Sequence, residues 1–217
     1  MGKYPIRLVL SDWSGTLSDD RRPIWKVGNM FLARYCLPRL TFEEWHELNS
    51  RHGTASTDSF LRIFGIDLDP TDVRESFRKY YSEVTSNGTK PEIYSGARVG
   101  LMWLKEKGIP VGVISTHPQE SILQESADYG VSECISAVKG NSPSKKRDLY
   151  LLCEESGVHP AEAMYVGDML PDIEAAKSIG AMPVAVTCGY TKRGHLMEKY
   201  PDVDMLDDFS FVPELIE

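Results

Sequence analysis

The sequence predicts a three-layer α/β fold, in which a Rossmann-like core with a mostly parallel sheet carries an inserted all-helical segment. Three observations favour it. From residue 90 onward, short apolar runs alternate with segments of helical length. Another apolar run lies far upstream, at residues 6–10. The residues between, about 19–91, show helical patterns and no convincing strand. A sheet interrupted once, just after its first strand, accounts for all three.

The first strand is predicted at residues 6–10, a mainly apolar run that is too short for an ordinary helix. Such a run is typical of a strand buried on both faces. It places Asp12 at the carboxyl end of the strand, just before a Gly-Thr turn at residues 15–16. Ligands bind at that edge in open α/β sheets. Asp12 is therefore the first candidate site residue.

Helices with recognisable start and stop signals fill the insertion. Thr41 can cap one of them in a capping box with Glu44. Another opens with Asp69 and Pro70 and repeats apolar side chains at the spacing of one stripe. The predicted helices begin at Pro23, Thr41, Ser56 and Asp69, and the first, third and fourth end near Tyr35, Phe64 and Asn87.

The second half of the chain alternates strands with helices, which implies right-handed crossovers between parallel strands. Strands are predicted at residues 110–114, 134–138, 163–166 and 183–186, with a last edge strand near 203–206. Helices are predicted at residues 97–107, 119–129, 144–157 and 172–179. The first strand must join this sheet, because alone it would leave an apolar face uncovered.

The insertion is too long for an ordinary connection between a strand and the next element. We therefore expect two domains: a core formed by residues 1–18 and 92–217, and a helical cap formed by residues 19–91. Because the insertion starts beside Asp12, we expect the cap to lie over the carboxyl edge of the sheet as a lid.

Composition limits the possible partners and location. The 217 residues carry 32 acidic and 24 basic side chains, a formal net charge of −8, which disfavours nucleic acid and anionic membrane surfaces as partners. No apolar run is long enough to span a membrane. The scattered cysteines suit reduced thiols in a cytoplasm: Cys36, Cys134, Cys153 and Cys188. We expect a cytoplasmic monomer or homodimer.

Chemically useful side chains follow four of the predicted strands, and the carboxyl ends of parallel strands meet at one edge. They are Asp12, then Ser115 and Thr116, then Lys139 and Lys145, then Asp168 and Asp172. Such a set suits phosphoryl transfer: the carboxylates need a hard cation such as Mg²⁺, and the hydroxyl and ammonium groups can hold phosphate oxygens.

The order of these motifs resembles the haloacid dehalogenase (HAD) superfamily. The matching stretches are Leu-Val-Leu-Ser-Asp-Trp-Ser-Gly-Thr-Leu at residues 8–17, Val-Ile-Ser-Thr at 113–116, a lysine leading a helix, and Tyr-Val-Gly-Asp-Met-Leu-Pro-Asp at 165–172. Residues 92–96 and 104–110 resemble its phosphoglycolate phosphatase-like and phosphonatase-like branch. The cap, inserted between the first two motifs, is similar to the helical C1-type caps of that branch.

The resemblance implies a role for each motif. Asp12 matches the nucleophile that forms an aspartyl-phosphate. Asp168 matches the principal acidic ligand of Mg²⁺, Asp172 a direct or outer ligand, and residue 14 the one whose backbone carbonyl completes the metal shell. Ser115 and the amide of Thr116 match the phosphate clamp. Lys145 best matches the family lysine by its spacing to Leu149, while Lys139 and Lys146 remain open.

Three further residues are candidates for substrate contacts. His117 follows the second motif, although Pro118 also suggests an ordinary helix entry. Arg51 and His52 lie in a stretch that resembles the specificity loop of the family's caps.

Ser14 departs from the pattern that the resemblance implies. Typical phosphatases of the superfamily carry a second aspartate here, which protonates the leaving oxygen and later activates water, and serine cannot do this at neutral pH. General acid or base catalysis is worth about 10²- to 10⁴-fold in rate, or roughly 3–5 kcal/mol of barrier. The substrate could be an aryl or acyl phosphate that needs little protonation, or another group, such as His117 or a cap residue, could provide the proton.

Different chemistry is the third explanation. Phosphonoacetaldehyde hydrolases of this branch carry Asp-Trp-Ala-Gly-Thr, close to residues 12–16 here, but they need a cap lysine; the choices are Lys26, Lys79 and Lys90. Dehalogenases also lack the second aspartate, yet they work without metal. A phosphate-binding pseudoenzyme is a further alternative. The sequence favours a magnesium-dependent phosphohydrolase that acts on a small phosphorylated metabolite.

Overall fold

A computed structural model describes residues 3–53 and 57–217. Its strands are β1 (Leu8–Ser11), β2 (Ser18–Asp19), β3 (Glu92–Ile93), β4 (Val111–Ile114), β5 (Ala137–Lys139), β6 (Ala163–Gly167), β7 (Met182–Val186) and β8 (Asp204–Leu206). Its α-helices are α1 (Arg21–Arg34), α2 (Phe42–His52), α3 (Thr57–Arg62), α4 (Pro70–Ser86), α5 (Ser95–Glu106), α6 (Gln119–Asp128), α7 (Lys145–Glu155), α8 (Leu170–Ile179) and α9 (Arg193–Lys199). The order of elements confirms the predicted α/β fold.

The main sheet has the strand order β5-β4-β1-β6-β7-β8, and every pairing in it is parallel. Strand β1 lies between β4 and β6 and is buried along its length. Its side chains alternate between two hydrophobic clusters, with Val9 in one and Leu8 and Leu10 in the other. The apolar run thus forms a strand covered on both faces, as predicted.

Helices α1 to α4 pack around a separate cluster of buried aromatic and aliphatic side chains, which includes Phe31, Trp45 and Phe60. The predicted capping box is present: the backbone N–H of Glu44 donates to the Thr41 hydroxyl at 3.3 Å, and the Glu44 carboxylate accepts from the Thr41 N–H at 2.8 Å. The predicted start of α3 at Ser56 lies outside the described residues.

The short strands β2 and β3 pair antiparallel where the chain enters and leaves the helical segment, with Ser18 opposite Ile93 and Asp19 opposite Glu92. This ladder was not predicted. It brings the two ends of the helical segment side by side, next to Ser14, which forms a bridge with Ser18. The division into a core of residues 1–18 and 92–217 and a cap of residues 19–91 stays a prediction that this pairing supports.

One predicted strand is misplaced. Instead of a strand at residues 134–138, the chain makes a 3-10 helix at Ser132–Cys134 and pairs with β4 only from Ala137 to Lys139. The backbone N–H of Cys134 is turned back to the carbonyl of Val131, and the ladder begins where the N–H of Ser136 reaches the carbonyl of Val111. The apolar character of Cys134 and Ile135 therefore serves packing rather than pairing.

The tail holds elements beyond the predicted edge strand. Helix α9 and a 3-10 helix at Phe209–Leu215 flank β8. No helix in the described ranges is both long and apolar enough to span a bilayer. The four cysteines are free thiols.

Candidate active site

The carboxyl ends of three adjacent strands bring the predicted motifs together. Because β1 pairs with both β4 and β6, the residues that follow these strands meet at one point of the sheet edge. Asp12 follows β1, Ser115 follows β4 and Asp168 follows β6. The backbone N–H of Asp12 donates to the Val166 carbonyl at 2.9 Å, which fixes the first motif against the last.

The Gly-Thr turn after Asp12 exists because the chain passes very close to Asp168. Gly15 has φ of +77°, and a Cβ there would lie 2.4 Å from Oδ2 of Asp168, so a side chain is excluded by both conformation and space. The Thr16 hydroxyl then donates to Oδ1 of Asp168 at 3.1 Å. The turn thus positions the carboxylate of the fourth motif.

Three carboxylates form a buried cluster at this edge. One oxygen each from Asp12, Asp168 and Asp172 lies within 4.8 Å of the others. Burial, followed by repulsion from Asp172 and Asp12, raises the pKa of Asp168 well above its ordinary value. Burial also raises the pKa of Asp12, although Lys145 opposes it. Hard oxygen donors with excess negative charge are the ligand set that Mg²⁺ prefers, so these residues fit the cation.

Lys145 is the cation that the structure places inside this cluster. Its Nζ lies 2.6 Å from Oδ2 of Asp12 and 2.6 Å from Oδ1 of Asp172. Burial alone would lower the pKa of Lys145, but the two carboxylates raise it above its ordinary value. Of the two other candidate lysines, Lys139 pairs with Glu155 at 2.8 Å, and Lys146 is exposed.

The hydroxyl residues of the second motif face the same space. Ser115 is buried, and its Oγ accepts a hydrogen bond from the backbone N–H of His117 at 3.3 Å. Thr116 is exposed. Both line the cavity that contains Asp12 and Lys145. This arrangement leaves hydroxyl and ammonium donors around a space beside the Asp12 carboxylate, which is what a bound phosphate group requires.

The cavity has a volume of about 710 Å³ and extends from the sheet edge into helices α1 to α4. Polar side chains of the motifs line one end. Apolar side chains from the helical segment line the other, together with Met169 and Tyr190 from the rest of the chain. Met169 and Tyr190 belong to the same hydrophobic cluster as Trp45 and Phe60, so the helices pack directly on the sheet edge.

Two tyrosines that the sequence analysis did not single out orient the acidic cluster. The hydroxyl of Tyr165 donates to Oδ1 of Asp172 at 3.0 Å, and the backbone N–H of Tyr190 donates to Oδ2 of Asp168 at 2.6 Å. Tyr165 lies in a predicted strand, and a buried tyrosine hydroxyl usually needs a partner. Tyr190 is far from the motifs in sequence, and no signal pointed to it.

A fourth carboxyl group lines the cavity at Asp20, where the chain enters α1. Its Oδ1 accepts a hydrogen bond from the Tyr190 hydroxyl at 2.8 Å. Burial raises the pKa of Asp20 to about 6, although His117, Tyr190 and the hydroxyl of Ser14 all act to lower it. In the sequence Asp20 looked like part of a polar loop, so nothing distinguished it.

The three predicted substrate contacts lie outside the described lining of the cavity. Nε2 of His117 lies 3.4 Å from Oε1 of Glu125, Arg51 pairs with Glu47 at 2.9 Å, and His52 is exposed. Arg51 and His52 therefore face solvent at the end of α2. Contact of these residues with a substrate stays a prediction.

The cap lysines proposed for phosphonate chemistry also lie apart from Asp12. Nζ of Lys26 is 2.5 Å from Oγ1 of Thr89, and Lys26 lines a second cavity between α1 and α4. Lys79 and Lys90 are exposed. Among the described residues, the lysines that line the Asp12 cavity are Lys145 and Lys146, neither of which lies in the helical segment.

Comparison with known proteins points to one family. The family model described as haloacid dehalogenase-like hydrolase matches residues 9–186. The chain is 32% identical to the phosphoglycolate phosphatase of Haemophilus influenzae strain 86-028NP, over 94% of this chain and 96% of the relative. It is 25% identical to the phosphoglycolate phosphatase of Synechococcus elongatus, over 91% of both chains.

Solved structures share the fold across nearly the whole chain. A predicted phosphoglycolate phosphatase from Haemophilus somnus 129pt has a TM-score of 0.77 at 21% identity, covering 98% of this chain and 99% of the other. CbbY from Rhodobacter sphaeroides in complex with phosphate has a TM-score of 0.72 at 20% identity, with 97% and 99% covered.

Proposed function

The chain belongs to the haloacid dehalogenase-like hydrolase family, and from this premise we propose that it is a magnesium-dependent phosphohydrolase acting on a small phosphorylated metabolite through an aspartyl-phosphate. Its phosphatase relatives support the general activity. The observation that carries the finer proposal is the buried Asp12 carboxylate, which contacts Lys145 and shares a site with Asp168 and Asp172.

Asp12 is the proposed nucleophile because both of its oxygens are held in place. Oδ1 accepts a hydrogen bond from the Trp13 N–H at 2.7 Å, and Oδ2 accepts one from Lys145 at 2.6 Å. In the first step a carboxylate oxygen forms a bond to phosphorus while the bond from phosphorus to the leaving oxygen breaks. The leaving oxygen takes a proton from water, and a second water molecule then attacks phosphorus and breaks its bond to the carboxylate, which gives inorganic phosphate and free Asp12.

Ser115, Thr116 and Lys145 are the proposed phosphate-binding residues. They line the cavity beside Asp12, and their hydroxyl, amide and ammonium groups are donors that suit phosphate oxygens. Fixed donors around the phosphorus position act on charge that develops during transfer, and preorganisation of this kind supplies much of the barrier lowering in many enzymes.

Asp12, Asp168, the carbonyl of Ser14 and Asp172, the last as a direct or outer ligand, are the residues that would hold Mg²⁺. When bound, the cation would neutralise charge on the carboxylates and on the phosphate. The hydrogen bonds of Asp168 with Thr16 and Tyr190 fix its carboxylate, which has an oxygen within 4.8 Å of one from Asp12. Asp172 is oriented in the same way by the hydroxyl of Tyr165 and by the N–H of Met169 at 3.0 Å.

The alternatives have less support from the geometry. A Schiff-base mechanism needs a cap lysine at the site, but Lys26 lies at another cavity. A metal-independent dehalogenase does not need metal ligands, so that mechanism does not explain the paired carboxylates of Asp168 and Asp172. A binding protein without turnover is compatible with Ser14 and is separated from an enzyme by assay.

The test is phosphate release from a substrate panel, with and without Mg²⁺, for the parent and for Asp12→Asn. The panel contains 2-phosphoglycolate, which the names of the relatives suggest, with p-nitrophenyl phosphate, acetyl phosphate and phosphonoacetaldehyde. We expect magnesium-dependent release by the parent and none by Asp12→Asn. No release from any compound would refute the proposal, acetaldehyde release from phosphonoacetaldehyde would favour the phosphonatase, and halide release from a haloacid without metal would favour the dehalogenase.

A further inference from the structure

We propose that the cavity selects phosphate monoesters whose organic part is an apolar group of aromatic size, in preference to substrates whose organic part carries a carboxylate. The inference concerns substrate class and rests on the proposed phosphatase function. Its grounds are the side chains that line the cavity beyond the phosphate position, the size of the cavity, and the residue at position 14.

The wall of the cavity opposite the phosphate position is mainly apolar, although the helices also contribute Asn49, Thr57 and Arg74 to the lining. Its apolar part is formed by side chains from all four helices α1 to α4 and by one residue of the fourth motif: Ile24, Trp45, Phe60, Val73, Phe77 and Met169. Aromatic side chains make up half of this set and come from three different helices. Such a wall stabilises a flat apolar group by burial and by ring-to-ring contact.

The helical side of the cavity offers few charged groups that could pair with an anionic organic group. Among the described residues of α1 to α4 that line the cavity, Arg74 is the only one with a charged side chain, and it is exposed. The other charged group on this side is the buried carboxyl of Asp20. A substrate carboxylate would therefore lose water beside apolar carbons and near a second acid, which is costly unless it is paired.

The volume also favours a larger organic group. Cavities of 300–1,000 Å³ typically enclose drug-sized ligands, and this one measures about 710 Å³. A phosphate group with a two-carbon acid would fill only the polar end. A phenyl or naphthyl ester would also reach the aromatic wall.

The residue at position 14 independently favours aryl phosphates as substrates. Ser14 has no carboxyl group to protonate a leaving oxygen. A phenol ionises near pH 10, as tyrosine does, and an aliphatic alcohol ionises only at much higher pH. A phenolate can therefore leave phosphorus with little help from an acid, whereas an alkoxide needs one.

Binding to the Asp12→Asn variant tests the inference without relying on turnover. Calorimetric titrations in Mg²⁺ would compare inorganic phosphate, phenyl phosphate, 1-naphthyl phosphate and 2-phosphoglycolate. We expect both aryl esters to bind at least about tenfold more tightly than 2-phosphoglycolate, in line with the burial of a ring. Equal or tighter binding of 2-phosphoglycolate would overturn the inference.

A substitution that puts a charged side chain into the apolar wall tests the same preference by changing the protein instead of the ligand. Ile24→Lys puts an ammonium group into the cavity one turn after Asp20, so it removes an apolar contact and pairs with anions. We expect it to weaken phenyl phosphate binding about tenfold and to strengthen 2-phosphoglycolate binding. The matched control is Met30→Lys, because Met30 lies on the same helix, is also half-buried and lines the second cavity. It should change neither affinity.

If Ile24→Lys does not fold, Ile24→Ala serves in its place. It should weaken phenyl phosphate binding severalfold and leave inorganic phosphate binding unchanged, whereas an equal effect on both ligands would contradict the inference.

Turnover distinguishes failure of the aryl preference from failure of the proposed phosphatase function. Release of phosphate chiefly from 2-phosphoglycolate refutes the aryl preference and leaves the phosphatase intact, whereas no release from any ester refutes the phosphatase.

Discussion

The ammonium nitrogen of Lys145 lies 2.6 Å from Oδ2 of Asp12. This contact singles out Lys145 among the lysines near the third motif and predicts the effect of its removal. Lys145→Met should lower kcat/KM on p-nitrophenyl phosphate by about 10²- to 10³-fold, the cost of losing one preorganised group at developing charge. Lys139, another lysine near the third motif, pairs with Glu155 and is not among the described residues that line the Asp12 cavity, so Lys139→Met should change kcat/KM by less than about threefold. A larger effect at Lys139 than at Lys145 would reverse the assignment.

Asp168 should be required for metal binding rather than for folding alone. Binding of Mg²⁺ to the native state should raise the melting temperature of the parent by about 5 °C or more at saturating metal, and EDTA should reverse the shift. Asp168→Asn should abolish the shift, because one ligand is lost and the charge of the cluster falls. Asp202→Asn is the control, since Asp202 pairs with Lys177 on the surface. An undiminished magnesium shift in Asp168→Asn would contradict the proposed metal site.

The residues found from sequence were those held by the backbone of the sheet. Asp12, Ser115 and Asp168 could be placed because each follows a buried apolar run, and parallel strands end at a common edge. Lys145 could be preferred because its spacing to Leu149 matches the family lysine, and helix α7 does start there, capped by Ser144. The structure brings these residues together, while their catalytic roles remain proposals.

Other parts of the site depend on packing between segments far apart in the sequence. Tyr190, in a loop after β7, donates hydrogen bonds to both Asp168 and Asp20. No local sequence pattern predicts these two contacts. The apolar stripe of α4 predicted an inward face, but it did not show that Val73 and Phe77 border a cavity. The strand at residues 134–138 was misplaced because apolar character alone does not distinguish a paired residue from one that only packs.

The buried carboxyl of Asp20 should make stability depend on pH. Burial raises its pKa to about 6 from an ordinary value of 3.8. The native state therefore binds more protons than the unfolded chain in this window, and the free energy of unfolding falls as the pH rises through it. The free energy of unfolding of Asp20→Asn, taken relative to that of the parent, should therefore increase by about 2–3 kcal/mol as the pH rises from about 4 to about 7. Urea denaturation in EDTA measures the difference, and a difference that does not vary with pH would contradict it.

Ser14→Asp tests whether a missing acid limits turnover. The new carboxyl group would occupy the position of the usual acid, and we expect turnover of alkyl phosphates to rise about tenfold or more, with less change for aryl phosphates. The Ser14 hydroxyl interacts with the Asp20 carboxyl, so the substitution also places two carboxyl groups together. Like charges in a buried site disfavour ionisation of both, and Ser14→Asp alone should therefore lose stability at neutral pH.

The double variant Ser14→Asp/Asp20→Ser separates these two effects, because it keeps one hydroxyl and one carboxyl group and exchanges their positions. We expect it to recover the stability that Ser14→Asp loses and to keep the gain on alkyl phosphates. A double-mutant cycle measures this compensation with four proteins: the parent, Ser14→Asp, Asp20→Ser and the double variant. Their free energies of unfolding, from urea denaturation at neutral pH, should give a coupling free energy that stabilises the double variant. If neither variant raises the turnover of alkyl phosphates, proton transfer at position 14 does not limit the reaction. The natural substrate would then have a leaving group that needs little protonation.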